Sequence, residues 1–262
     1  MLLLLKLILT PLLIGSISVA GRRFGPAVSG WLVGLPLTFA PVTLFLAIEQ
    51  GTAFASRVAQ GTMMGIISQA AFCMAYAWLS FRVNLLGCWL TGWGVFFVAT
   101  FVFAHVSLPV PLAFVGVVSC LLIALLLWPR QRGQVGETKS PAWDIAGRML
   151  VATGFVLGLT GVAPVLGPRL SGLLSPLPIF ATIFAVFTHH LQGATVARQV
   201  LHGVVVSSFA CALFFLVVAG LLTRWGIVAT FSAALVAALL TQGCALWVVR
   251  KGEAIASNLH YT

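Results

Sequence analysis

Runs of about twenty apolar residues follow one another along nearly the whole chain, and this pattern limits the fold more than any other feature. A bilayer hydrocarbon core is crossed by a helix of roughly 20 apolar residues. Inside that core every backbone N–H and C=O must be satisfied within the segment or by a closed barrel. The runs do not alternate apolar with polar residues, so they predict helices rather than barrel strands. Composition agrees, with 61% of the 262 residues hydrophobic and 7% charged, against about 45–50% and 25% in soluble domains. Fourteen Lys and Arg with four Asp and Glu cannot clothe a chain of this length for water. The sequence therefore specifies an all-α, polytopic transmembrane bundle with no room for a soluble catalytic domain.

Nine spans are predicted, at about 2–20, 27–48, 58–80, 85–105, 108–128, 145–163, 169–190, 200–222 and 226–249. The polar stretch 129–143, PRQRGQVGETKSPAW, links two halves, five spans in 1–128 and four in 144–250, with a tail at 251–262. Residues 1–20 end in Ser-Val-Ala, a possible signal-peptidase site. Lys6 lies inside the apolar core rather than ahead of it, so this segment is expected to stay as the first helix. Ten Lys and Arg in the loops fall on one side, and Lys6, Arg57, Arg169 and Arg224 on the other. The positive-inside rule then puts the N-terminus outside and the linker and C-terminus in the cytoplasm, with the bacterial inner membrane as the expected location. The basic residues sit singly at helix ends, so the net charge of +10 reads as an orientation signal. Membrane lipid is the expected partner, and nucleic acid is not.

Displaced by 142 residues, the sequence aligns with itself without a gap. Residues 25–61 and 167–203 share 13 of 37 positions, among them Gly25/Gly167, Pro26/Pro168, Ser29/Ser171, Gly30/Gly172, Pro36/Pro178, Gln50/Gln192, Gly51/Gly193 and Gly61/Gly203. Leucine matches come cheaply in membrane sequences, whereas Gly, Pro, Ser and Gln matches do not. Five spans precede the second half, so each helix and its counterpart are expected to cross in opposite directions. Loop charges, counted without the repeat, also put Arg22 and Arg23 on one side and Arg169, in the corresponding loop, on the other. In its pattern of spans the whole chain resembles the inverted-repeat secondary transporters, although no family-specific motif is present. The resemblance implies two halves that exchange conformations to open alternately to each side. Channels and scaffolds derived from dual-topology proteins also carry inverted repeats.

Gly/Pro interruptions at corresponding positions of the two halves are the best pointer to a transporter site. Gly34-Leu35-Pro36 interrupts the second span and Pro176-Leu177-Pro178 the seventh. Proline in a helix removes an N–H and frees a carbonyl, and at bilayer depth the freed groups need protein or water. The candidate site comprises Ser29, Pro36, Thr38 and Thr43 from one half and Ser171, Ser175, Pro178 and Thr182 from the other. The competing reading is that both prolines are inherited kinks that shape packing. Glu49, His189 and His190 are candidates for a coupling proton, but they end their spans, and interfacial residues solvated by water or headgroups are the favoured reading.

Gly30/Gly34, Gly61/Gly65 and Gly154/Gly158 have the GxxxG spacing of close helix packing, with a homodimer face as the alternative. The five cysteines lie singly in apolar runs, and the histidines lack ligand spacing, so no metal or cofactor is expected. No acid, base or nucleophile constellation suggests an enzyme. The leading expectation is a secondary transporter whose weakly polar, monoanionic or lipid-like substrate binds between spans two and seven. The alternative is a non-catalytic membrane scaffold or accessory subunit.

Overall fold

The computed structural model describes residues 39–129 and 144–259, together with 7, 8, 11, 12 and 36. Their elements are α1 (Phe39–Glu49), α2 (Thr52–Leu79), α3 (Leu85–His105), α4 (Val110–Leu126), α5 (Asp144–Leu174), α6 (Ile179–Gln192) and α7 (Ala194–Leu259). No strand occurs among the described residues. Among the described residues four segments are long and apolar enough to cross a membrane, Thr52–Leu79, Leu85–His105, Met149–Leu174 and Ala194–Cys244, while α1 and α4 are shorter apolar helices. The chain is accordingly all-helical and has the character of an integral membrane protein. Most of the first predicted span, Ser29, Thr38 and linker residues 130–143 lie outside the described residues.

Local chemistry explains the helix ends. Asn84 caps α3, its side-chain oxygen accepting the Gly87 N–H at 2.9 Å. Pro109 precedes α4 and Pro111 lies in its first turn, where a missing N–H costs no helix bond. Gly51, at φ 87° and ψ 165°, separates α1 from α2 with no intervening loop. Helix α2 therefore begins at Thr52, ahead of the residue 58 expected from hydropathy. Gly193, which lies 142 residues further on, has φ 89° and ψ 171° and separates α6 from α7 in the same way. Gly167 (φ 76°) and Gly226 (φ 74°) break α5 and α7 into two legs each. The break at Gly226 is a reversal. Phe214 and Phe231 stack edge-on at 5.9 Å across it, whereas a straight helix would hold them about 25 Å apart. Phe72, the counterpart of Phe214, likewise stacks on Trp93 across the α2–α3 turn, at 6.3 Å.

Helix α2 is the centre of the bundle, packing against α1, α3, α4, α5 and α7. Its side chains Met63, Ile66, Phe72, Cys73 and Tyr76 are fully buried. Near its start the Ser56 hydroxyl donates to the Ala219 carbonyl at 2.7 Å. Near its end Phe81 lies under the Arg198 guanidinium, 4.3 Å from the ring centroid. The beginning of α2 thus meets the middle of α7 and its end meets the beginning of α7, so α2 and residues 194–225 run antiparallel. Helix α4 packs against both of them. The approach of α2 to α5 is made backbone to backbone: a Cβ at Gly61 would stand 2.7 Å from the Arg169 carbonyl oxygen, and one at Gly65 2.6 Å from that of Leu173. The Gly61/Gly65 pair is therefore packed within the chain. Gly154 and Gly158 are exposed, with nothing among the described residues within 4 Å of a Cβ built at either.

Candidate functional site

Pro36 and Pro178 share a local geometry. Pro36 is buried and its carbonyl accepts the Ala40 N–H at 2.8 Å; Pro178 is buried and its carbonyl accepts the Thr182 N–H at 2.8 Å. Pro178 thus opens α6, and Pro36 stands three residues ahead of the start of α1. Helix α5 stops at Leu174, and Ser175–Pro178 form a turn in which the Leu177 N–H reaches the Leu174 carbonyl at 3.1 Å. The seventh predicted span is consequently two helical pieces, with the break between Leu174 and Ile179.

The small polar residues near these prolines are mostly engaged with their own helices. Thr43 donates to the Phe39 carbonyl (3.3 Å), Ser171 to Gly167 (2.7 Å) and Ser175 to Ser171 (3.1 Å). Such i−4 bonds satisfy a hydroxyl locally and tend to bend a helix. Thr182 differs, since its Oγ1 is buried with no hydrogen-bond partner among the described residues. Helix α1 packs against α2 and α5, and α6 against α7 and α3. Ser29 and Thr38 are outside the described residues.

Glu49 and His190 are exposed, while His189 is held. Its Nδ1 shares a hydrogen bond of 3.1 Å with the hydroxyl of Tyr76, and the two rings meet edge to face at 5.9 Å. Tyr76 is completely buried, so its hydroxyl needs that partner. Two further polar residues that sequence reasoning passed over lie near the start of α7. Arg198 is 7% exposed, and its Nε has no hydrogen-bond partner among the described residues. One turn on, His202 packs edge-on against Trp128 at 5.4 Å.

At the opposite end of α2 a pocket of about 190 Å³ opens between α2, the α3–α4 connection and the second leg of α5. Arg57, Gln60, Gly61 and Met64 line it from α2, Phe103 from the end of α3, Val106, Ser107 and Leu108 from the connection, and Pro168, Arg169 and Leu173 from α5. Its wall is fixed by two polar side chains. The Gln60 amide donates to the Leu108 carbonyl at 2.6 Å. Arg169 Nη2 donates to the Phe103 carbonyl at 3.1 Å and also to that of Val106, and so caps the end of α3. Two arginines read from sequence as loop charges thus line one concavity. No protein-family model, curated protein or solved structure matches this chain.

Proposed function

We propose that the chain is a secondary transporter working by alternating access, built from inverted-topology repeats of five and four spans. Its solute is weakly polar, monoanionic or lipid-like and binds between spans two and seven. The observation that carries this reading is the pair of buried prolines, 142 residues apart, whose carbonyls each accept the N–H four residues further on. Gly51 and Gly193 extend the correspondence with matching backbone angles. The antiparallel course of α2 and residues 194–225, which are counterparts at that displacement, supports opposite insertion of the halves.

Alternating access also needs two conformations of similar energy, which an inverted repeat supplies by letting the halves exchange environments. The environments of counterpart residues favour such a cycle. Gly61 is closed against Gly172, whereas its counterpart Gly203 is exposed. Exchange of those two states would close one end of the bundle while opening the other. In this reading the N-terminus lies outside a bacterial inner membrane and the C-terminus in the cytoplasm. The chain carries cargo rather than catalysing a reaction.

Counterflow in proteoliposomes tests the proposal with a panel of labelled small monoanions. Saturable exchange is expected, and Pro36→Ala and Pro178→Ala should each change its rate far more than they change the yield of folded protein. Flux equal to that of empty liposomes for every solute would leave transport without support. The scaffold reading is favoured by one feature, the exposed Gly154/Gly158 face, and would then take its place.

A further inference from the structure

We infer that the pocket between Arg57 and Arg169 is a binding site for a small, singly charged oxyanion with a short apolar body. Two guanidiniums line it, and among the described lining residues none is acidic. Arg169 has a structural task, since its Nη2 holds the carbonyls that end α3. Arg57 is exposed in the second turn of α2 and lines the same pocket. Its charge adds to the partial positive charge at the beginning of α2. Guanidinium forks bind carboxylate and phosphate through paired, charge-assisted hydrogen bonds, which fixes the chemistry of the ligand as an oxyanion.

The remaining walls set its size and body. Met64, Phe103 and Leu173 offer apolar surface, and Ser107 is the one hydroxyl residue among the described lining residues. At about 190 Å³ the pocket is smaller than the roughly 300–1,000 Å³ of sites for drug-sized ligands, which suits a short carboxylate or a lipid phosphodiester group. Gly61 and Leu173 also belong to the close backbone contact between α2 and α5. An anion held between Arg57 on α2 and Arg169 on α5 therefore clamps those helices at their closest approach. Binding here needs no transport cycle.

The test is binding to the full chain in nanodiscs, read as thermal stabilisation and by isothermal titration. One arm uses zwitterionic phosphatidylcholine nanodiscs titrated with butyrate or dimethyl phosphate, with choline as the cationic control. The other arm compares those nanodiscs with ones containing phosphatidylglycerol. Saturable stabilisation by butyrate or dimethyl phosphate in neutral lipid, weakened about 10- to 100-fold in Arg57→Gln, identifies a free solute. Stabilisation by phosphatidylglycerol alone, lost in Arg57→Gln, identifies a lipid headgroup on the same residues. Arg57→Lys should recover part of either effect, because the charge returns without the fork. Arg169→Gln also uncaps α3, so Arg57→Gln decides the matter in a chain that stays folded. Absence of binding in both arms, or binding unchanged by Arg57→Gln, overturns the assignment.

Discussion

Substituting Gly172 by alanine tests how tightly the second leg of α5 is set against α2. A Cβ there would stand 2.7 Å from Gly61 Cα and 2.8 Å from Thr62 N, and closer still to the Val58 carbonyl oxygen. Favourable carbon contacts lie near 3.5–4.0 Å, so the helices must part by about an ångström. All three neighbours are backbone atoms, and no side-chain rotation can relieve the overlap. Overpacking of this kind costs about 1–3 kcal/mol. Three backbone atoms must be displaced, so the upper part of that range applies, and alanine's higher helix propensity returns about 1 kcal/mol of it, leaving a net loss of about 1–2 kcal/mol, or a few degrees in Tm. Gly158→Ala is the matched control. It gains the same propensity at an exposed position with open space around it, and should leave Tm unchanged or slightly higher. Thermal unfolding of both variants in one detergent decides the point. A Gly172→Ala protein as stable as the parent would refute the close contact of α2 with α5.

Gly51→Ala and Gly193→Ala should each lose about 1–3 kcal/mol, because both glycines hold backbone angles that residues with a Cβ rarely adopt; thermal shift assays should find similar losses for the pair. Tyr76→Phe removes the partner of His189 and should cost about 0.5–1.5 kcal/mol. In a double-mutant cycle with His189→Ala the two losses should not add, and full additivity would mean that the hydrogen bond contributes nothing.

Helix existence could be read from the sequence wherever an apolar run had polar ends. Helix α3 was expected at 85–105 and occupies Leu85–His105, because Asn84 caps its start and the Val106–Pro109 segment stops its continuation. Boundaries inside long apolar stretches were harder to place. Hydropathy predicts a loop over residues 49–57, but Thr52-Ala-Phe-Ala-Ser contains no helix breaker, and only Gln50 and Gly51 separate the two helices. The Leu177-Pro178 pair announced the break between Leu174 and Ile179, yet not that Ser171 and Ser175 would bond to their own helix there.

The Arg57–Arg169 pocket had only an indirect trace. Arg57, Gly61 and Gly65 recur at a spacing of four and so share one helix face, but nothing local says that α5 lies against it. Tyr76 is a plainer signal in the sequence, because a hydroxyl inside an apolar helix must find a partner. Which partner it finds is decided by the packing of α6 and α7, which no local pattern encodes.

Arg57 and Gln199 occupy the same position in α2 and α7 at the 142-residue displacement, and both are exposed. Inverted insertion puts them on opposite faces of the membrane. With the five native cysteines replaced, Arg57→Cys and Gln199→Cys should be made one at a time and treated in intact cells with a membrane-impermeant maleimide. The cysteine at 57 should label from outside, and the one at 199 only after the membrane is permeabilised. Labelling of both from the same side would contradict the inverted repeat and the alternating-access mechanism built on it.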